Sequence, residues 1–263
     1  MDSAEGQFER YRRQVSLPEI GLEGQERLAS GKVLLTGVGG LGSSAALYLA
    51  GAGVGMLGLA DGDVVEEVNL HRQVLYTTAD LGKMKVDCAA ERLVALNPET
   101  NIVKYPEHLT RDNATEIVRE YDIVIDTCDN FPTRYLINDV CFFENKPYVH
   151  GSVFGFEGQV TVFVPRKGPC YRCLYPEPPP SDTASAAPGI LGMAPGVIGT
   201  IEAAEALKLL VGIGTNLVGR VLIIDLLQAG LHYAQVALNP DCLLCGDNPG
   251  MTAPADPVQL DKG

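Results

Sequence analysis

What this chain lacks narrows its function before any motif is weighed. It is short of positive charge, with 20 Lys and Arg against 33 Asp and Glu, a formal net charge of -13 and a pI near 4.7. Its overall field therefore repels nucleic acid and anionic membrane surfaces. No apolar run reaches the roughly 20 residues of a membrane span. The opening MDSAEGQFERYRRQ has neither an apolar h-region nor a cleavage signature, so a cytoplasmic protein with no nucleic-acid and no membrane partner is expected. No Gly-Lys-Ser/Thr follows a glycine loop, which removes the P-loop mode of phosphate binding. Tryptophan is absent as well, and that excludes nothing. The seven cysteines are an odd number, which argues against a simple disulfide scaffold.

What remains is enough for a large core: 263 residues, 46% of them hydrophobic. Apolar strands at Lys32 to Thr36, Met56 to Ala60, near Ile102, and at Asp122 to Asp126 and Pro147 to Ser152 alternate with helical patterns at Ser43 to Ala50, Lys83 to Leu96, Ala114 to Arg119 and Phe131 to Glu144. That alternation predicts parallel pairing. The pattern then changes to a hairpin in VFGFEGQVTVFVP, a helix from Val197 to Val211, and strands at Val221 to Ile224 and Leu231 to Leu238. The fold class is α/β, a Rossmann-like mostly parallel sheet continued by antiparallel strands. One domain over 1–250 is expected, with a helical arm at 8–30, a mobile proline-rich crossover at 176–194 and a disordered tail at 251–263.

The first strand runs into GVGGLG, in which Gly37, Gly39 and Gly42 fit G-x-G-x-x-G and Gly40 stands between them. Glycines there allow a tight turn and close approach of phosphate to a helix N-terminus. Asp61 ends the second strand, where a carboxylate can accept from a ribose. At this point NAD and ATP are indistinguishable, and an NAD-dependent oxidoreductase stays open. Cleaving ATP between its α and β phosphates calls in addition for cations and a magnesium-holding carboxylate. Arg13, Arg72 and Lys85 supply the first, and Asp129, followed by Asn130 at the end of another parallel strand, supplies the second. Taken singly, each reads as solvated surface or a helix cap.

Cys170 with Cys173, and Cys242 with Cys245, form two C-x-x-C pairs about seventy residues apart. Two such turns can close a tetrahedral four-thiolate zinc site with no open position, so the metal would be structural. A redox pair or two disulfide-like clips fit a cytoplasmic chain less well. Cys88, Cys128 and Cys141 stand singly and read as packing residues.

Across nearly its whole length the chain resembles the MoeB/ThiF family, bacterial relatives of ubiquitin-activating enzymes. The resemblance is carried by YRRQ at 11–14, LPEIGLEGQERL at 17–28, GVGGLG at 37–42, DGDVVEEVNLHRQVL at 61–75, GKMK at 82–85, DTCDN at 126–130, FEGQVTVF at 156–163, CYRCLYPEPPP at 170–180, PGVIGTIEAAEALKLL at 195–210 and CLLC at 242–245. It implies ATP-dependent adenylation of the C-terminal Gly-Gly carboxylate of a ubiquitin-like sulfur-carrier protein of the MoaD/ThiS kind, with release of pyrophosphate. Gly40 and Asp61 would contact the nucleotide, Asn69, Arg72 and Lys85 its phosphates, Asp129 a magnesium ion, and Asn130 would line the same site. Arg13 would reach into a partner subunit as an arginine finger, so a homodimer is implied. Sulfur would come later from a sulfurtransferase or cysteine desulfurase. The pathway, whether molybdenum cofactor, thiamin, tRNA thiolation or cysteine synthesis, is not specified. Many relatives carry a crossover cysteine where this chain has Ser185, a poor nucleophile without an activating base. A relative that adenylates another peptide, or a non-catalytic scaffold, stays open beside the main reading.

Overall fold

The structure is a computed structural model that describes residues 8–177 and 189–255. Eight strands form one sheet in the order β3-β2-β1-β4-β5-β6-β7-β8. They are β1 Lys32–Leu35, β2 Met56–Ala60, β3 Asn101–Tyr105, β4 Ile123–Asp126, β5 Tyr148–Phe154, β6 Glu157–Phe163, β7 Arg220–Asp225 and β8 Gly230–Gln235. The first five pair in parallel and the last three antiparallel, as the change of pattern after Ser152 predicted. Because β1 lies between β2 and β4, the connections leaving β1 and β4 diverge, and a crevice opens at their C-terminal ends.

The helices are α1 Arg12–Val15, α2 Gly21–Ser30, α3 Gly40–Gly51, α4 Lys85–Leu96, α5 Ala114–Arg119, α6 Phe131–Phe143, α7 Tyr171–Leu174 and α8 Met193–Val211. One face of the sheet is covered by α2, α3, α4 and α8, through residues such as Leu28, Ala45, Leu49, Leu93, Ile198 and Ala206. The other face is covered by α5, α6 and α7, around Ile117, Tyr135, Leu136 and Tyr171. Helices α3 and α8 cross closely because their contact is built from small residues: a Cβ on Gly199 would run into the Leu41 carbonyl and the Ser44 hydroxyl.

Several boundaries differ from the sequence reading; strand β8, for one, ends at Gln235 rather than Leu238. Helix α3 begins at Gly40, inside the glycine motif rather than at Ser43, and α8 begins at Met193 rather than Val197. Pro195 is tolerated there because N–H groups in a helix's first turn have no intrahelical acceptor. The crossover thus ends at Gly192, and its stretch 178–188, with Ser185, lies outside the described residues. The expected tail is held as far as Ala255, whose N–H donates to Asp139 Oδ2 at 3.1 Å.

Glu202 of α8 is fully buried over Gly151 of β5, where a Cβ would collide with its carboxyl, and neither of its oxygens has a partner among the described residues. Burial, aided by the Asp126 charge, pushes its pKa well above the usual carboxylate range. A carboxyl with a raised folded pKa contributes fully below its unfolded pKa and loses that contribution as pH climbs towards the folded value. Glu202→Gln should therefore match the parent near pH 4 and gain on it by up to about 1.4 kcal/mol per pH unit above about pH 4.3. Urea unfolding at about pH 4, 6 and 8 measures this; a gap that stays constant would mean that Glu202 folds as a charged group.

Candidate functional site

The glycine turn follows β1 into the crevice. A Cβ at Gly42 would run into the Gly37 carbonyl, so only glycine lets the chain fold back this tightly before α3. Thr127, just past β4, closes the other wall by donating its hydroxyl to Gly37 O at 2.6 Å. The first N–H groups of α3 are left without helical acceptors, and the helix dipole adds positive potential there. Asp61 is buried, and its two oxygens accept from Val38 N and Asp63 N, each at 2.9 Å. It thus pins the turn to the exit of β2, while a carboxylate oxygen can still accept a further ribose hydroxyl.

Over the turn lies the segment 64–76, whose one helical piece is a short 3-10 turn at Glu67–Asn69. The Tyr76 hydroxyl donates to Val38 O at 2.7 Å, which fastens the segment down. Asn69 is buried, and its side-chain oxygen accepts from Arg72 Nη2 and Gln73 Nε2 at 3.2 Å each, while Arg72 Nη1 donates to Val68 O at 3.0 Å. The Arg72 side chain packs beside Gly40, within 3.7 Å of where a Cβ would stand. Lys85, the first residue of α4, is buried with its Nζ 2.8 Å from Asp63 Oδ2. The structure thus brings Gly37, Gly39, Gly40, Gly42, Asp61, Asn69, Arg72 and Lys85 to one crevice.

The segment after β4 is braced from beneath. Asp126 is fully buried; His150 Nδ1 lies 2.7 Å from its Oδ2, and Cys128 donates to its Oδ1 from the thiol at 2.8 Å and from the backbone at 3.3 Å. Arg134 stands 4.0 Å from Asp126 and donates to Cys128 O at 3.0 Å. Burial pushes the Asp126 carboxyl up, but His150, Arg134 and Cys128 outweigh it and hold it below the ordinary range. Burial also pushes the His150 imidazole down, so it is neutral at pH 7 and donates through Nδ1. Burial and the Asp126 charge push the Cys128 thiol well up, which leaves it a donor rather than a nucleophile. Asp129 is exposed at the mouth, with no hydrogen bond among the described residues. Asn130 caps α6 by accepting from Thr133 N at 2.9 Å, which fixes its side chain beside the crevice with its amide nitrogen left for a ligand.

Arg13 is not brought to this crevice. It lies on α1, where neighbouring Tyr11 donates to Glu99 at 2.8 Å and Gln14 to Ala52 O at 3.0 Å. Those partners sit on the connections into β3 and β2, at the opposite end of the sheet. Five residues of β2 separate the two ends, about 16 Å at 3.3 Å per residue, beyond the reach of one side chain.

The four paired cysteines converge. Cys170 lies 3.9 Å from Cys173 and 3.6 Å from Cys242, Cys245 lies 3.3 Å from both Cys170 and Cys173, and all four sulfurs fall within 4.8 Å of one another. A tetrahedron with metal–sulfur bonds of about 2.3 Å has edges of about 3.8 Å, so the cluster is compatible with zinc. Four sulfurs this close cannot all ionise without a cation among them.

Asp63, Gln73 and Asp126 lie inside the quoted motifs with no role assigned to them there, and Arg134 and His150 lie outside those motifs. Asp126 and His150 are register partners across β4 and β5, 24 residues apart in sequence, and neither residue's neighbours advertise the pairing. A buried acid ending one strand and a lone histidine inside the next were the only available hint.

Comparison with known proteins adds the following. The sequence model of the ThiF family matches residues 11–244. The chain is 49% identical over 250 residues to a Thermus thermophilus protein named sulfur carrier protein adenylyltransferase, covering 92% of each. It is 46% identical to the Haloferax volcanii SAMP-activating enzyme E1, over 92% of this chain and 90% of that one. Against mouse adenylyltransferase and sulfurtransferase MOCS3 it is 49% identical over 92% of this chain, yet spans only 54% of that protein. Among solved structures, Escherichia coli MccB aligns with a TM-score of 0.83 at 23% identity over 93% of this chain and 74% of MccB. PaaA aligns with a TM-score of 0.77 at 26% identity, over 89% and 75% of the two chains.

Purified protein should carry about one zinc per chain by elemental analysis. Cys173→Ser or Cys245→Ser should lose most of it and lower Tm by about 10 °C or more, the scale of losing several kcal/mol in a chain this long. Metal-free protein with four freely titrating thiols and an unaltered Tm would rule a metal out.

Proposed function

Since the chain belongs to the ThiF family, as the match over 11–244 shows, we propose that it uses ATP to adenylate the C-terminal Gly-Gly carboxylate of a ubiquitin-like sulfur-carrier protein. The observation that carries this reading is the gathering of Arg72, Lys85 and Asn69 over a glycine turn and helix N-terminus, beside a free carboxylate at Asp129, in a chain whose net charge is -13. A hydride-transfer site would need no such set.

The carrier's terminal carboxylate is already ionised, so no general base is required. One of its oxygens bonds to the α-phosphorus, the bond from that phosphorus to the β-bridging oxygen breaks, and pyrophosphate leaves with the electron pair. Acyl-adenylate is the other product. Arg72, Lys85 and the Asn69 amide are assigned to the phosphates, where they offset the charge that grows on the leaving group. Asp63 is the resting partner of Lys85, whose ammonium has two further N–H donors for a phosphate. Magnesium held at Asp129 would supply further neutralisation of the triphosphate. Zinc held by Cys170, Cys173, Cys242 and Cys245 would fasten the chain's last quarter to α7. Asp61 is assigned to the ribose.

Arg13 stands at the far end of its own sheet and is assigned to the site of a second copy, which makes the working unit a homodimer. The carrier is assigned to the tip of the β5–β6 hairpin and the start of α8, where Phe154 and Met193, each 69% exposed, and Leu227, 62% exposed, are apolar side chains open to a partner. Sulfur donation is assigned to a sulfurtransferase or cysteine desulfurase; the chain itself spans about half the length of mouse MOCS3.

Three outcomes test the reading. A carrier incubated with enzyme and ATP should gain the mass of one AMP group, and a carrier lacking its last two glycines should gain nothing; equal labelling of both would refute carboxylate adenylation. Asp129→Ala should slow carrier-dependent pyrophosphate exchange about 100-fold or more while changing ATP affinity far less; parent-like exchange would remove Asp129 from the chemistry. Arg13→Ala and Asp129→Ala proteins should each be weak alone, but mixed and allowed to exchange subunits they should recover about a quarter of parental activity, since half the dimers then hold one intact site of two. No recovery would put Arg13 outside the partner's site.

A further inference from the structure

Asn69, Arg72 and Gln73 form a closed polar triad against the glycine turn. The Asn69 side-chain oxygen accepts from Arg72 Nη2 and from Gln73 Nε2 at 3.2 Å each, and Asn69 and Gln73 are only 6% and 4% exposed. A Cβ at Gly39 would stand 3.5 Å from Gln73 Nε2, so this amide lies directly against the turn.

The chemistry fixes both amide orientations. A guanidinium has donors only, so the Asn69 atom facing Arg72 is its oxygen. The Gln73 atom facing that same oxygen is then its nitrogen. Asn69 Nδ2, with two N–H donors, makes no hydrogen bond among the described residues and is the end left for a ligand. Gln73 Oε1 is enclosed and has no partner among the described residues, so Gln73 itself offers a bound nucleotide nothing.

We infer that Gln73 is a positioning residue for nucleotide binding: it locks the Asn69 carboxamide with its amide nitrogen turned to the phosphates and, through the shared oxygen, steadies the Arg72 guanidinium. This rests on the assignment of Asn69 and Arg72 to the phosphates. Without Gln73, the Asn69 amide is held by Arg72 alone, and turning its oxygen towards an anion costs one hydrogen bond less. A glutamate at 73 is worse, since it keeps the shape but has no donor for Asn69 Oδ1 and competes with the phosphates for Arg72.

The test compares Gln73→Met, Gln73→Glu and Asn69→Ala. Calorimetry measures a non-hydrolysable ATP analogue, and saturation-transfer NMR measures adenosine, which lacks phosphates and so reports an intact pocket. Gln73→Met should weaken the analogue about tenfold and Gln73→Glu about 100-fold, the scale of one and two charge-assisted hydrogen bonds, with adenosine binding unaltered in both. Equal losses for analogue and adenosine would mean that Gln73 only supports the fold and would overturn the inference. So would parent-like analogue binding by Gln73→Met when Asn69→Ala binds it poorly. Parent-like analogue binding by Asn69→Ala would instead remove the phosphate assignment, and the inference with it.

Discussion

The hydrogen bond from the Thr127 hydroxyl to Gly37 O, across the crevice between β1 and β4, is the contact on which the rest of the site depends. It is available because β1 has β2 on one side and β4 on the other, so the chain leaving β1 and the chain leaving β4 face each other across a gap instead of running side by side. A turn this tight needs glycine at 42, and the turn in turn fixes the N-terminus of α3. Asp61, Tyr76 and the Asn69 triad each take their position from that turn, by hydrogen bonds to Val38 or by packing on Gly39 and Gly40.

A net charge of -13 sets the field of the whole chain against a triphosphate. The range of the interaction decides the matter. At physiological salt the Debye length is about 8 Å, so the acidic surface is screened from the crevice while donors within hydrogen-bonding distance are not. What counts is how the local cations are kept. Lys85 is buried against Asp63, while Arg134 is half-buried against Asp126 and the Cys128 carbonyl and Arg72 half-buried against Asn69 and the Val68 carbonyl. Each is preordered at the cost of a carboxylate or carbonyl nearby, and Lys85 keeps two N–H donors beyond the one given to Asp63. The site is held ready, with part of its charge already neutralised, and this reduces the ordering that binding would otherwise require.

The strands, the hairpin and the four cysteines were legible because each is a local pattern: an apolar run, an alternation about a turn, a C-x-x-C. Helix starts were less so, since Gly40 in one and Pro195 with Gly196 in the other are poor helix formers that are helical here where α3 and α8 pack on one another. The buried Asp126–His150 pair was not legible at all. It is created by register between two strands whose separation in sequence carries no period. Gln73 was passed over for a related reason. Its neighbour Arg72 looks like chemistry and a glutamine does not, and only the shared Asn69 oxygen gives it a task.

The position of Arg13 bears on the working unit more than any feature of the crevice does. Its arm is pinned by Tyr11, Gln14 and Asn97 to the connections that enter β2 and β3. The polypeptide cannot swing Arg13 round to its own glycine turn without breaking those bonds, and Asn97 and Gln25, which share them, are themselves fully buried. Under the proposed reaction, then, an arginine in YRRQ can assist only a neighbour. A site completed in this way is sensitive to association: the same crevice in an isolated chain would hold nucleotide with its own donors yet lack one of the charges that act when the α-phosphorus is attacked. Binding and turnover would part company as the protein is diluted, which a site built from a single chain would not do.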